Sequence, residues 1–238
     1  MNVVTCDGVT LVADIRARPG AEVAVVVAHG LAADRGDGNV VGVAEAVHDA
    51  GYSVVTFDGR GHGSSSGACT LGDEERHDVA AAVAIARDLA PEVVVVGASM
   101  GAIATLRHAA DDPDLAGVVV VSCPAHWRLA SPQAALAALL TRTRPGRRIL
   151  RSRSGVRLSP TWNQPPPPVE VVQQVRCPVA VVHGLADRFV PSAEARALYA
   201  AAGEPRRLDL VRAMGHAFTA ESRAAIVGAV RWCLTPTG

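Results

Sequence analysis

Short valine-rich runs alternate with helical patterns along most of this chain. Val23–Ala28, Ser53–Phe57, Val93–Val96, Val118–Val121, Val179–Val182 and Leu208–Val211 are apolar almost throughout rather than at every second position. A strand covered on one face alternates, whereas a strand covered on both faces does not, so these runs predict buried strands. Between them Asn39–Ala50 places Val40, Val43, Ala44 and Val47 on one helical face, and Asp73–Leu89 opens with acids and spaces Val79, Val83 and Ala86 likewise. Ser192–Ala202 and Thr219–Cys233 continue the pattern. Short buried strands alternating with such helices predict an α/β fold with a mostly parallel central sheet flanked by helices.

The alternation breaks once. From Cys123 to Arg176 there is no strand-like run, and eight of the 15 prolines fall there. Residues 123–176 are expected to form an insertion above the sheet, with one helix near Pro132–Thr141 and an extended stretch in "SPTWNQPPPPVE". No acid occurs from Leu115 to Val169, yet Arg142, Arg144, Arg147, Arg148, Arg151, Arg153 and Arg157 crowd into 16 residues. A solvated face accounts for most runs of this kind. The functional reading is that part of the run faces an anionic group.

Composition narrows the class. The 238 residues suit one domain spanning 1–238, and with 49% hydrophobic but 3% aromatic residues the core must be built from Val, Leu and Ala. The 23 basic residues, all Arg, balance 23 acids, which predicts no overall attraction to nucleic acid. Five widely spaced cysteines without a CxxC argue against a disulfide scaffold or a metal site and point to reduced thiols in a cytoplasmic setting. The start, "MNVVTCDGVTLVADIR", lacks the basic-then-apolar order of a signal peptide. Apolar runs fall far short of the ~20 residues of a membrane span, so no stable membrane insertion is expected.

One stretch carries chemistry. "VVVVGASMGAIATL" sets Ser99 between Gly97 and Gly101, fitting G-x-S-x-G with a strand before it and a helix after it. Reversing a strand into a helix within so few residues leaves no room for side chains at 97 and 101. It lifts the Ser99 hydroxyl clear of the sheet and aims the Met100 amide at whatever binds there. The plain alternative is a serine capping a glycine-rich turn. A serine nucleophile needs a base and an acid that orients it. Asp187 follows the strand of "VAVVHGLADRFVP", and His216 follows the strand of "RLDLVRAMGHAFT". In a parallel sheet the loops after strand C-termini gather at one edge, where Ser99 also emerges. Asp209, inside a strand pattern, is a weaker acid. His29, His62 and His183 are rival bases, of which His29 and His183 read as structural in their turns. An oxyanion needs two aimed N–H donors, and Leu31, after the strand end His29–Gly30, offers the best partner for Met100.

With these residues assembled, the chain resembles the α/β-hydrolase superfamily over essentially its full length. The motifs are "HGLAADR", "FDGRGHGSSSG" (with D-x-R-G-H-G-x-S at Asp58–Ser65), "GASMGA", "HGLADRFVP" and "GHAF". It is most similar to small serine esterases of the feruloyl-esterase-like and monoglyceride-lipase-like groups. The resemblance implies a triad of Ser99, Asp187 and His216, an oxyanion hole of Leu31 and Met100, and a cap insertion after the sixth strand. Candidate substrate contacts are His29, Gly30, Trp127, Leu136 and Trp162, with Leu139 and Leu140 as further apolar cap surface. No metal or organic cofactor is expected, and the expected partner is a small-molecule ester; the sequence sets no oligomeric state. Serine at the elbow departs from epoxide hydrolases and haloalkane dehalogenases, which carry Asp there, while cofactor-free haloperoxidase-like members share the triad. Thioester hydrolysis or acyl transfer on the same triad is the alternative chemistry, and a non-turnover binding protein of this fold is the alternative of another class.

Overall fold

Valine-rich strands without polar faces need cover above and below, and the computed structural model supplies it; it describes residues 1–128, 131–162 and 164–236. The strands are β1 (Asn2–Val4), β2 (Thr10–Arg16), β3 (Val23–Ala28), β4 (Ser53–Phe57), β5 (Glu92–Ala98), β6 (Gly117–Val121), β7 (Val179–Gly184) and β8 (Arg206–Val211). The helices are α1 (Gly38–Asp49), α2 (Glu75–Arg87), α3 (Met100–Asp111), α4 (Pro132–Arg142), α5 (Arg144–Ser154), α6 (Pro168–Val171), α7 (Ser192–Ala201) and α8 (Arg223–Leu234). All eight strands join one sheet in the order β1-β2-β4-β3-β5-β6-β7-β8. From β4 to β8 the pairings are parallel, whereas β1 and β2 add an antiparallel edge. This is the α/β-hydrolase fold.

The register explains why the runs are continuously apolar. Val55, Val26, Val95, Val118 and Val179 pair in one row across five strands. That row packs against Val79, Val83, Ala102 and Leu106 of α2 and α3. The residues one step along, such as Val25, Val54 and Val94, pack on the opposite face against α1 and α8, through Val43, Val47, Ile226 and Val230. Full burial of each such side chain contributes about 1.5–3 kcal/mol.

The structure adds four elements to the expected set, β1, β2, α5 and α6. β1 and β2 were hidden because β1 is three residues long and Thr10–Arg16 follows fully buried Leu11 and Ala13 with exposed Asp14, Ile15 and Arg16. α5 lacks an apolar stripe, and its five arginines at 144, 147, 148, 151 and 153 mask a helix that carries Pro145 in its first turn. Thr143 joins it to α4: its hydroxyl donates to the Leu139 carbonyl (2.8 Å) and accepts from the Gly146 amide (3.2 Å). Gly146 is needed at that junction, since a Cβ there would lie 2.5 Å from the Leu140 Cα. The proline-rich stretch gives way to α6 at Pro168, three residues short of the expected extended end at Glu170.

His29, His62 and His183 sit deep in the interior, 2%, 1% and 0% exposed. Burial disfavours their charged forms and lowers all three, His62 to about 3. The unfolded chain binds these protons near pH 6.5 while the folded chain does not, so stability is full above that pH and falls as pH drops below it. For His62 the loss by pH 5 comes to about 2 kcal/mol. Urea midpoints at pH 7 and pH 5 should differ accordingly, and His62→Gln should flatten the dependence. An equal slope in both proteins would contradict this account.

Candidate active site

β5 ends at Ala98 and α3 begins at Met100, which leaves Ser99 alone to reverse the chain. It does so at φ 51° and ψ −113°, a region side-chain-bearing residues rarely occupy. The surroundings hold it there. The Ser99 amide donates to the Val121 carbonyl at 2.9 Å, tying the turn to the end of β6. A Cβ on Gly97 would meet Thr105 Oγ1 and lie 2.5 Å from the Gly101 carbonyl oxygen. A Cβ on Gly101 would lie 2.5 Å from the carbonyl oxygens of both Ala28 and His29. The first turn of α3 therefore rests directly on the end of β3.

Loops after β5, β7 and β8 bring Ser99, Asp187 and His216 together. His216 Nε2 lies 3.0 Å from Ser99 Oγ, and His216 Nδ1 lies 2.8 Å from Asp187 Oδ2. An ionised carboxylate only accepts, so the hydrogen sits on Nδ1 and leaves Nε2 as the acceptor facing the serine hydroxyl. Asp187 Oδ1 takes amide hydrogens from Phe189 (2.8 Å) and Val190 (2.9 Å). Burial alone raises this carboxyl, but the His216 hydrogen bond, its charge and the two amides outweigh burial and hold it below the ordinary range. The Phe189 ring stacks on the imidazole with centroids 4.8 Å apart. The Phe189 carbonyl in turn accepts the Ser131 hydroxyl at 2.8 Å, which ties the start of α4 to the Asp187 loop. Asp209 is engaged elsewhere, with Arg207 Nε 2.9 Å from its carboxylate.

Above Ser99 opens a cavity of about 560 Å³. Gly30, Leu31 and Met100 form its wall near the serine, and Met100 begins α3, where the first amides lack intrahelical acceptors. Trp127, Leu140 and Trp162 line it from the insertion, and Ala137, Ala138 and Leu150 extend that side. Two candidate contacts lie elsewhere. His29 does not line the cavity: its Nδ1 donates to the Gly30 carbonyl (2.8 Å) and its Nε2 accepts the Gly59 amide (2.9 Å), so it braces the turn from behind. Leu136 is 57% exposed and Leu139 58%, because α4 turns its Ala137–Leu140 side inward. Val40, Leu71, Ile103, Phe189 and Phe218 also line it, and none was singled out from sequence as a substrate contact. They belong to ordinary helix and loop patterns that carry no signal for a cavity.

The glycine loop after β4 supports the turn at β3. Asp58, 0% exposed, accepts the amides of Arg35 (2.9 Å) and Ser64 (2.8 Å) and pairs with the Arg35 guanidinium. Arg60 is clamped between Asp78 (2.8 Å) and Asp7 (2.7 Å). Asp7, Glu74 and His77 bring possible metal-ligand atoms within 4.8 Å of one another, yet both Asp7 oxygens already accept Arg60 N–H groups. Among the described residues no helix is long and apolar enough to cross a membrane.

The family model for serine aminopeptidase, S33, matches residues 19–164. The chain belongs to this α/β-hydrolase family. An uncharacterized protein of Mycobacterium tuberculosis is 30% identical over 208 residues, covering 83% of this chain, and the chain spans 64% of that protein's length. Esterase Pf2001 of Pyrococcus furiosus superposes with a TM-score of 0.76 at 21% identity, over 98% of this chain and 91% of that one. Esterase RhEst1 of a Rhodococcus species gives 0.72 at 21%, over 100% and 99%. Est1E of Butyrivibrio proteoclasticus, with ferulic acid bound, gives 0.70 at 20%, over 96% of both chains. At these identities the three structures establish the shared fold.

The packing at the elbow makes a sharp pair of predictions. Gly101→Ala drives a methyl into two backbone oxygens and should cost about 3 kcal/mol in urea unfolding. In α8, Gly228→Ala meets nothing within 4 Å and should stabilise by roughly 0.5–1 kcal/mol. Equal effects at the two sites would show that the elbow is looser than described.

Proposed function

We propose that this chain is a serine hydrolase that cleaves carboxylic esters through an acyl-enzyme, working as one α/β-hydrolase unit over residues 1–238 with residues 123–176 as its cap. The observation that carries this reading is the unbroken chain of hydrogen bonds from Ser99 Oγ through His216 to Asp187 on the floor of a largely apolar cavity. Ser99 attacks the ester carbon while His216 Nε2 takes its proton. Asp187 keeps the imidazole in the needed tautomer and stabilises its charged form. The amides of Leu31 and Met100 hold the oxyanion. His216 returns the proton to the leaving alcohol, and water then releases the acid by the same steps in reverse roles. None of these steps draws on a metal or an organic cofactor. The odd number of thiols, none of them paired among the described residues, supports a cytoplasmic setting.

The family description is that of a peptidase, and two of the structurally similar proteins, Pf2001 and RhEst1, are described as esterases. The lining favours the ester reading. An aminopeptidase must hold a substrate ammonium, and Asp37 is the only carboxylate among the described residues that line the cavity. One of its oxygens caps α1 by accepting the Asn39 amide at 2.9 Å.

Ser99→Ala should lower kcat for a p-nitrophenyl acyl ester by roughly 10⁴–10⁶ and abolish fluorophosphonate labelling. Persistent labelling would move the nucleophile elsewhere, and a wild-type protein that turns over no oxygen ester or thioester would favour a binding role. Asp187→Asn should cost about 10⁴ in rate by leaving the wrong imidazole tautomer. Asp209→Asn should cost far less, and a reversed order would reassign the acid.

A further inference from the structure

Next to the cavity above Ser99 lies a second one of about 350 Å³, and the two share Leu71, Thr141, Arg142 and Trp162 in their walls. The second is more polar, because Arg147, Thr70, Ser159 and Gln164 join Leu71, Leu158 and Pro160 in its wall. Of the seven arginines between 142 and 157, Arg142 lines both of these cavities and Arg147 lines the second. Arg142 is exposed, as are Arg144, Arg148, Arg151 and Arg153, whereas Arg147 is half-buried and Arg157 donates to the carbonyls of Ser65 and Gly67.

Both cavity arginines are held in place without being neutralised. The Arg142 guanidinium carbon sits 5.6 Å from the Trp162 ring centroid, at the boundary of the two chambers. Half-buried Arg147 turns back to donate from Nη1 to the Arg142 carbonyl at 3.1 Å. Neither forms an ion pair with the described residues, and the chain has no acid from Leu115 to Val169. The carboxylate behind Thr70 belongs to Glu75, which is 3% exposed. It is saturated by the Thr70 amide (2.7 Å), the Thr70 hydroxyl (2.7 Å) and the Gly72 amide (2.8 Å). Two fixed, unpaired guanidiniums on a concave polar surface are what a carboxylate or phosphate requires.

We propose that the Arg142–Arg147 cavity is a subsite for an anionic group, a carboxylate or a phosphate, that the substrate carries at some remove from its ester carbon. The apolar part of such a substrate fills the chamber above Ser99, and its charged end passes Trp162 into the neighbouring one. The substrate assignment rests on the esterase reading, whereas anion binding does not.

Calorimetric titration with hexyl phosphate, hexanoate and hexanol tests the subsite without turnover. At least one of the two anions should bind about tenfold tighter than hexanol, and the better anion names the group. The advantage should shrink between 0.1 and 1 M salt, as the Debye length falls from ~10 Å to ~3 Å. It should disappear in Arg147→Gln and in Arg142→Gln and be partly kept in Arg147→Lys, with circular dichroism confirming that each variant is folded. In turnover, the p-nitrophenyl monoester of adipic acid should exceed its methyl-capped counterpart in kcat/KM, and Arg147→Gln should cut that ratio about tenfold. Hexanol binding as tightly as both anions, or an anion advantage untouched by both substitutions and by salt, overturns the subsite. Selective anion binding without hydrolysis of either ester would leave the subsite standing and remove the esterase reading. Hydrolysis of both esters alike without selective binding would do the opposite.

Discussion

The contact of Gly101 with the carbonyl oxygens of Ala28 and His29 is the constraint on which the rest of the site depends. It seats the N-terminus of α3 against the end of β3, which sets Met100 beside the turn that carries Gly30 and Leu31. With the helix so placed, β5 has one residue in which to reverse, and Ser99 takes a backbone conformation it would otherwise avoid. The strain is offset by the cover on both faces of the valine sheet, because a rigid, fully packed layer has no cheap way to relax it. The same turn that is costly locally is what exposes the hydroxyl.

Electrostatics around the site follow one rule: buried groups are either neutral or fully partnered. His29, His62 and His183 are kept neutral by burial. Asp58 and Asp187 stay buried because backbone amides and a cationic or imidazole partner take up their lone pairs. His29 shows how closely support and chemistry are joined. It stays out of the cavity above Ser99, yet it links the Gly30 carbonyl to the Gly59 amide and so connects the turn holding Leu31 to the loop after β4. The Ser131–Phe189 hydrogen bond joins the α4 helix to the triad in a similar way.

Much of this was legible in the sequence because each signal was local. Continuous valine runs mark strands covered twice, and G-x-S-x-G between a strand and a helix marks a turn in which Gly97 and Gly101 have no space for a Cβ. Chain order then led to Asp187 and His216, since parallel strands end at a common edge. What escaped was set by tertiary contact. β2 reads as mixed because its partner is antiparallel and its outer half faces solvent. α5 escaped because its arginines leave no apolar periodicity between the caps, Thr143 and Gly155, that begin and end it. Leu136 and Leu140 are alike in sequence, and only the rotation of α4 sends one to solvent and the other to the cavity. Phe189 was invisible because a ring stacked on an imidazole follows no periodicity.

The account stands or falls on a covalent bond between substrate and Ser99. Rapid acid quenching during turnover of a p-nitrophenyl ester, followed by intact mass and peptide mapping, observes that bond directly. The account predicts one acyl group per protein, carried on the peptide containing Ser99, and a matching burst of p-nitrophenol before steady turnover. A protein that turns over the ester with the acyl group on another residue, exposed Cys6 included, would contradict it.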